Sequence, residues 1–150
     1  MKNKKQYIQG FTLMELMVVT VILIVAIGGI LATYIQCLAI SEISRNSTTA
    51  MIAAKSRLED IKNASFDQLV TKFNKVSFSI GDLNGIGVSY VDNTNLDLYK
   101  ITISVCWQQR NGQIIGEDTN LNGQLDAGED VNHNNIIDSP LQIVTYIYNR

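Results

Sequence analysis

Residues 11–30 read FTLMELMVVTVILIVAIGGI, an apolar run broken by one carboxylate, Glu15, near its start. From Leu16 to Ile35 the chain carries 20 consecutive residues without a charge. As a helix rising ~1.5 Å per residue, that stretch is ~30 Å long, the thickness of a bilayer's hydrocarbon core. Lys2, Lys4 and Lys5 precede it. The pattern therefore predicts a membrane helix with a cytoplasmic N-terminus and the rest of the chain outside. A secretory signal fits poorly, because its apolar region is shorter and ends at a small-x-small site. A lipoprotein signal needs small residues before Cys37, where the chain has Tyr34-Ile35-Gln36. A plain single-pass anchor explains the length and the lysines. It does not explain Glu15, since a carboxylate inside the membrane costs roughly 2.5–3.5 kcal/mol on insertion scales and is ordinarily paired.

The chain around this run has 150 residues, enough for one small domain. Its net charge of -2 hides an asymmetry: residues 117–138 carry six carboxylates and no Lys or Arg. No basic stripe with interleaved aromatics is present, so nucleic-acid binding is not indicated. With one His and no Ser/His/Asp or Cys/His constellation, nothing in the residues argues for an enzyme.

The segment KKQYIQGFTLMELMVVTVILIVAIGGI resembles the N-terminal signal of type IV pilins and type II secretion pseudopilins. That signal is a short basic leader, then Gly, an aromatic residue, and Glu at the fifth place after the cut. Gly10, Phe11 and Glu15 occupy those places. The resemblance implies a leader peptide (1–10), cut between Gly10 and Phe11 by a membrane prepilin peptidase that also methylates the new amine. Losing three lysines takes the net charge from -2 to -2 - 3 = -5. It also supplies the missing partner of Glu15: the new amine of Phe11 on a neighbouring subunit. Many members carry a Pro within the apolar segment. This chain has none before Pro140, and Gly28-Gly29 is the weak point where any local melting on assembly is expected.

Beyond Ile35 the helical pattern continues and turns amphipathic. Ile40, Ile43, Ser47, Ala50, Ala54, Leu58 and Ile61 step by three or four, one face for a sheet to cover. The turn residues of NASFD predict an end near Asn63. A helix of ~50 residues, ~75 Å long, follows. The remainder reads as strands: VSFSI (76–80), IGVSYV (86–91), YKITISVCWQQ (99–109) and LQIVTYIY (141–148), with Asn111-Gly112 as a hairpin turn. Alternation puts Ile101, Ile103, Val105 and Trp107 on the helix side, and Thr102, Ser104 and Cys106 on the other. No Cys37–Cys106 disulfide is therefore expected. The expected fold class is α+β: the pilin fold, one long N-terminal helix packed on a small antiparallel sheet. Residues 11–38 would be the transmembrane and filament-core half of the helix, and 39–150 a periplasmic or extracellular head. AAKSRLEDIKNASFDQL, ISVCWQQRNG and IVTYIYNR also resemble V-type minor pilins or I-type pseudopilins.

An acidic insert, 117–139, stands before the last strand. DTNLNGQLDAGE (118–129) has the spacing of an EF-hand loop. Asp118, Asn120 and Asn122 offer side-chain oxygens at positions 1, 3 and 5, and Gly123 allows the sharp turn at 6. Gln124 offers its backbone carbonyl at 7, Asp126 sits at 9, and Glu129 at 12 can bind through both oxygens. Calcium needs such a set, six or more hard oxygens from a chain curled round the ion. The pattern repeats with a period of 12: Asp130, Asn132, Asn134, Ile136 and Asp138 form a second, weaker set. Its last position is Leu141, so it lacks the closing carboxylate or lends its oxygens to the first loop. His133 falls between ligand positions and is expected to face solvent. Without helical flanks, the pair resembles the tandem loops of dockerins and thrombospondin type 3 repeats. One Ca2+ is expected, a second is possible, and the ion is expected to staple the head.

The resulting expectation is a structural, minor subunit of a type IV pilus or related filament. Its partners would be the prepilin peptidase, other pilin or pseudopilin subunits through the N-terminal helix, and the bacterial inner membrane before assembly. The alternatives are a pseudopilin of a type II secretion system, a class whose major members also use calcium in a C-terminal loop, and a calcium-dependent adhesion module at a pilus tip.

Overall fold

The computed structural model describes residues 10–149. Lys2, Lys4 and Lys5, and with them most of the expected leader, lie outside the described residues. By its contacts the chain divides into a unit ending at Ser41 and a unit beginning at Glu42. Helix α1, Leu13–Asn63, runs through the division.

In the first unit every described residue is exposed. The stretch is long and apolar enough to cross a membrane. Its two helical threonines are satisfied by its own backbone: Thr20 Oγ1 donates to Met17 O at 2.8 Å and Thr33 Oγ1 to Gly29 O at 2.9 Å. The run therefore presents few unpaired polar groups on its flank, which is what an apolar surrounding demands. Helix α1 passes through Gly28-Gly29 without a break.

In the second unit α1 is followed by a 3-10 turn, Phe66–Gln68, a short helix α2, Leu69–Phe73, and five strands. These are β1 (Val76–Ser79), β2 (Gly85–Asp92), β3 (Leu98–Gln108), β4 (Ile114–Ile115) and β5 (Gln142–Tyr148). All pairings are antiparallel. Strand β3 is the hub. It holds β2 along one edge, and on the other edge β5 along 98–104 and β4 at 107–108.

The helix side of the sheet is the main core. Ile101, Ile103 and Val105 are fully buried, and Trp107 nearly so, against Ala50, Ala54 and Ile61 of α1. The two alanines let the helix backbone approach the bulky β3 side chains closely, as the interlocked packing of protein interiors requires. The covered stripe is shorter than the sequence pattern suggested. It begins at Asn46, while Ile40 and Ile43 remain exposed. Periodicity marks which side of a helix is apolar, but only the reach of the covering elements decides where burial starts.

Residues 64–75, left unassigned by pattern, form the 3-10 turn and α2, whose Leu69 and Phe73 plug the edge of the core. Arg57 ties this segment to the sheet. Its guanidinium lies 4.7 Å from the Phe73 ring centroid and 5.2 Å from that of Phe78, and donates to Ser89 Oγ at 3.4 Å. Ser89 in turn donates to Phe73 O at 2.8 Å.

The opposite face of the sheet is not left to solvent. Val88, Tyr90 and Cys106 are buried there under Leu121, Leu125, Ile136 and Ile137. The acidic insert thus folds back on the sheet and makes a second, smaller core. Cys106 lies in it, Cys37 is exposed on α1, and both thiols are free.

Candidate functional site

Two places carry the candidate residues. The first is the start of α1. Gly10, Phe11 and Thr12 precede the helix, and Gly10 and Phe11 are exposed. A Cβ added at Gly10 meets nothing within 4 Å, so no described neighbour requires glycine there. Thr12 stands at the N-cap, and its Oγ1 accepts the Glu15 N–H at 3.2 Å. Thr12 and Glu15 thus hold the N-cap and N3 places of a capping box, and Glu15 lies at the positive end of the helix dipole. This is a local reason for a carboxylate at the head of an apolar helix, and the T-x-x-E spacing was its signal in the sequence.

The second place is the insert. In its first turn, Asp118 is fully buried and holds the curl from inside. Its Oδ1 accepts the Asn122 N–H at 3.1 Å and its Oδ2 the Gly123 N–H at 2.7 Å. Asn120 Oδ1 accepts the same Asn122 N–H at 3.0 Å, and Asn122 Oδ1 the Gln124 N–H at 2.6 Å. The carboxamides of Asn120 and Asn122 converge on Asp126 Oδ2, at 2.8 and 2.7 Å. Glu129 closes the turn: Oε1 accepts Thr119 N–H and Oγ1–H, both at 2.8 Å, and Oε2 accepts the Asp126 N–H at 3.0 Å. Gly123 has φ +74°, and a Cβ there would stand 2.6 Å from Ser77 Cβ. Both the left-handed conformation and the approach to β1 demand glycine.

The second turn repeats the bonds made by positions 1, 3, 5 and 9. Asp130 accepts the Asn134 N–H at 3.0 Å and the Asn135 N–H at 2.9 Å. Asn132 accepts the Asn134 N–H at 3.1 Å, and Asn134 the Ile136 N–H at 2.9 Å. The Asn132 and Asn134 carboxamides converge on Asp138 Oδ2 at 2.6 and 2.8 Å. The backbone repeats as well: φ is 55° at Leu121 and 59° at His133, 74° at Gly123 and 61° at Asn135. Asn135 can stand where the first turn needs glycine because asparagine tolerates left-handed φ. His133 is exposed.

The insert is anchored to the sheet by apolar contact and by one buried bond. Ile137, 1% exposed, sits against Val88, Tyr90 and Cys106, and its N–H donates to Tyr90 Oη at 2.9 Å. Burial pushes the Tyr90 hydroxyl above its usual range, and lifts the Cys106 thiol to about 11. Cys106 is therefore an inert packing group rather than a nucleophile. In the turns the shifts run the other way. The Asn120 and Asn122 carboxamides hold Asp126 below the usual carboxylate range. For Glu129, burial pushes upward, but the bonds from Asp126 and Thr119 outweigh it and the net shift is downward.

By residue type the set suits a hard cation, but in each turn it is the carboxamide nitrogens of positions 3 and 5 that face the position-9 carboxylate, while their oxygens accept backbone N–H groups. Among the described residues, however, no group of three or more Asp, Glu, His or Cys side chains gathers as a metal cluster. Asp118 and Glu129 are engaged by backbone N–H groups instead. The curl is thus shaped by hydrogen bonds that the protein itself provides.

The sequence reading omitted Glu117. Its Oε2 accepts the Asp138 N–H at 3.0 Å, and its own N–H donates to Asp138 O at 2.9 Å. The available signal was the period of 12, which pairs Glu117 with Glu129.

No curated protein and no solved structure matches the chain. A family model does match, and it falls on the first of the two places. Over residues 5–33 the chain carries the prokaryotic N-terminal methylation motif, the signature of type IV pilins and pseudopilins.

Proposed function

We propose that the protein is a structural, minor subunit of a type IV pilus or related filament, cut between Gly10 and Phe11, with a head that calcium stabilises. The observation that carries the reading is the methylation motif at 5–33, placed at the head of an apolar helix. The motif implies processing by prepilin peptidase and assembly with other pilin subunits. That family is structural, not enzymatic. Motif and helix fit a membrane-anchored, later filament-associated protein. The exposed apolar flank of α1 supports a core of packed helices after assembly, since such a surface is stable only in lipid or against other apolar surfaces. Cutting after Gly10 leaves Phe11 with a charged amine, and Glu15 of a neighbouring subunit is its complement.

A Gly10→Leu substitution tests the processing step. The expected product is an uncut precursor that stays in the membrane and is missing from filaments. Filaments that contain the variant at mature mass would end the reading. A pseudopilin of a type II secretion system shares the same motif. Labelling that finds the subunit confined to the envelope, on no long surface fibre, decides for that machine.

Calcium is supported by the residue types at the loop positions, a carboxylate at 1 and 9 of both turns and at 12 of the first, with carboxamides at 3 and 5 that cluster on the position-9 carboxylate. The residues concerned are Asp118, Asn120, Asn122, Gln124, Asp126 and Glu129 in the first turn, and Asp130, Asn132, Asn134, Ile136 and Asp138 in the second. A site with Kd ~0.1 mM, in ~1 mM calcium, would add ~1.4 kcal/mol of stability by mass action. Full-length protein in detergent is expected to melt higher in calcium than in chelator, and Asp118→Ala with Glu129→Ala is expected to abolish the difference. A wild-type protein with no such difference has no structural calcium.

A further inference from the structure

The second turn has Leu141 where a closing carboxylate belongs, yet it is closed. In the first turn the closing pair is Glu129 with Asp126: the Asp126 N–H donates to Glu129 Oε2 at 3.0 Å, and the Glu129 N–H donates to Asp126 O at 3.2 Å. In the second turn the same pair of bonds joins Glu117 with Asp138, at 3.0 and 2.9 Å. Glu117 and Glu129 stand one period apart, each directly before the aspartate that begins a turn, Asp118 or Asp130. Each glutamate therefore leads into one turn and closes the other.

We propose that the insert is a closed ring in which the two turns order together: Glu117, at the head of the first turn, completes the second, and Glu129, at the head of the second, completes the first. The first closure spans three residues and the second spans 21. Both ends of that 21-residue loop are held on β3, Ile115 opposite Trp107 and Asp138 against Cys106, so the sheet brings Glu117 and Asp138 together. The second turn is tied to the first through Glu129, which closes the first and adjoins Asp130, the carboxylate on which the second is wound. The tie runs back as well, since Glu117 adjoins Asp118, the buried carboxylate on which the first turn is wound. The base of the ring is fixed to the sheet beside it. Cys106 Sγ donates to Asp138 O at 3.9 Å, and Gly116 has φ +112° with Cys106 Sγ 2.3 Å from where a Cβ would stand. No other residue fits there.

The consequence is a coupling device. Ordering of either turn, by an ion or by a docked partner, is passed to the other. The inference concerns the chain alone and does not rest on calcium. Its test is made in chelator, so its failure and the failure of the calcium reading are separate results.

Amide hydrogen exchange of the full-length protein in detergent provides the test. Glu117→Ala is expected to speed exchange of the Asp138 amide by about tenfold or more, as loss of a bond to a charged acceptor implies. It is also expected to speed Asp126 and Gly123, in the turn that Glu117 does not close. Glu129→Ala is expected to speed Asp126 directly, and Asn134, Asn135 and Asp138 in the other turn. The amides of Ile101 and Ile103, in the main core, report an intact sheet and stay protected. Glu117→Gln, which keeps an acceptor and the shape, provides the same reading at smaller amplitude should the alanine variant lose the sheet. If each substitution frees only the amide that its own carboxylate holds, the turns order independently and the ring is wrong.

Discussion

The two faces of the head's sheet are both buried, but by different physics. On the helix side, Ile101, Ile103, Val105 and Trp107 meet Ala50, Ala54 and Ile61 in a continuous apolar core. On the insert side, Val88, Tyr90 and Cys106 of the sheet meet Ile137 under 12-residue turns knit by carboxylates and carboxamides. The first face draws on apolar area, which is non-directional and cooperative. The second draws on hydrogen bonds to charged acceptors, each modest in net terms and dependent on protonation. The helix side is therefore expected to set global stability, and the insert side to open locally below that limit.

The sharpest way to break this contrast is to cut each core at its centre. Ile103→Ala, at a fully buried helix-side position, is expected to cost ~2–5 kcal/mol of global stability. Trp107 is the chain's one tryptophan and lies in that core, so its fluorescence in a denaturant titration measures the loss. Ile137→Ala removes the same atoms from the insert side, where Ile137 is 1% exposed. Its expected cost is ~2 kcal/mol, the low end of the range, because a surface insert can relax around the gap. It should appear in exchange of 118–138 amides with little change in the Trp107 midpoint. Equal shifts of that midpoint by both variants would show one cooperative core rather than two.

A third, smaller effect separates the faces by pH. Asp126 and Glu129 have carboxyl groups held below their usual values in the folded chain. A depressed folded pKa contributes stability above the unfolded value, and that contribution fades as pH falls through the folded one. Acidification below about 4.5, the ordinary glutamate range, is thus expected to free the Thr119 and Asp126 amides that Glu129 holds while Ile101 and Ile103 stay protected. If the sheet amides are lost over the same interval, the proton-dependent bonds are not confined to the insert.

Much of this was legible in the chain. The uncharged run from Leu16 to Ile35 could be read as a membrane-length helix because length and hydropathy are local properties. Strand alternation placed Ile101, Ile103, Val105 and Trp107 on one face, and they form the main core. The start of burial at Asn46 was not legible, since it depends on how far the covering elements reach. Alternation placed Thr102, Ser104 and Cys106 on the face away from the helix, but it carried no sign that the returning insert would cover Cys106 there. Helix α2 escaped notice because five residues are too few for a periodicity to show.

The sequence by itself determined the apolar helix, the N-terminal motif and the 12-residue repeat, because each is written in residues close together along the chain. Only the tertiary structure decided that the repeat lies on the sheet and that Glu117 closes the turn ending at Asp138. A carboxylate takes as partner whichever N–H the fold brings within reach, and across 21 residues that choice belongs to the packed chain as a whole.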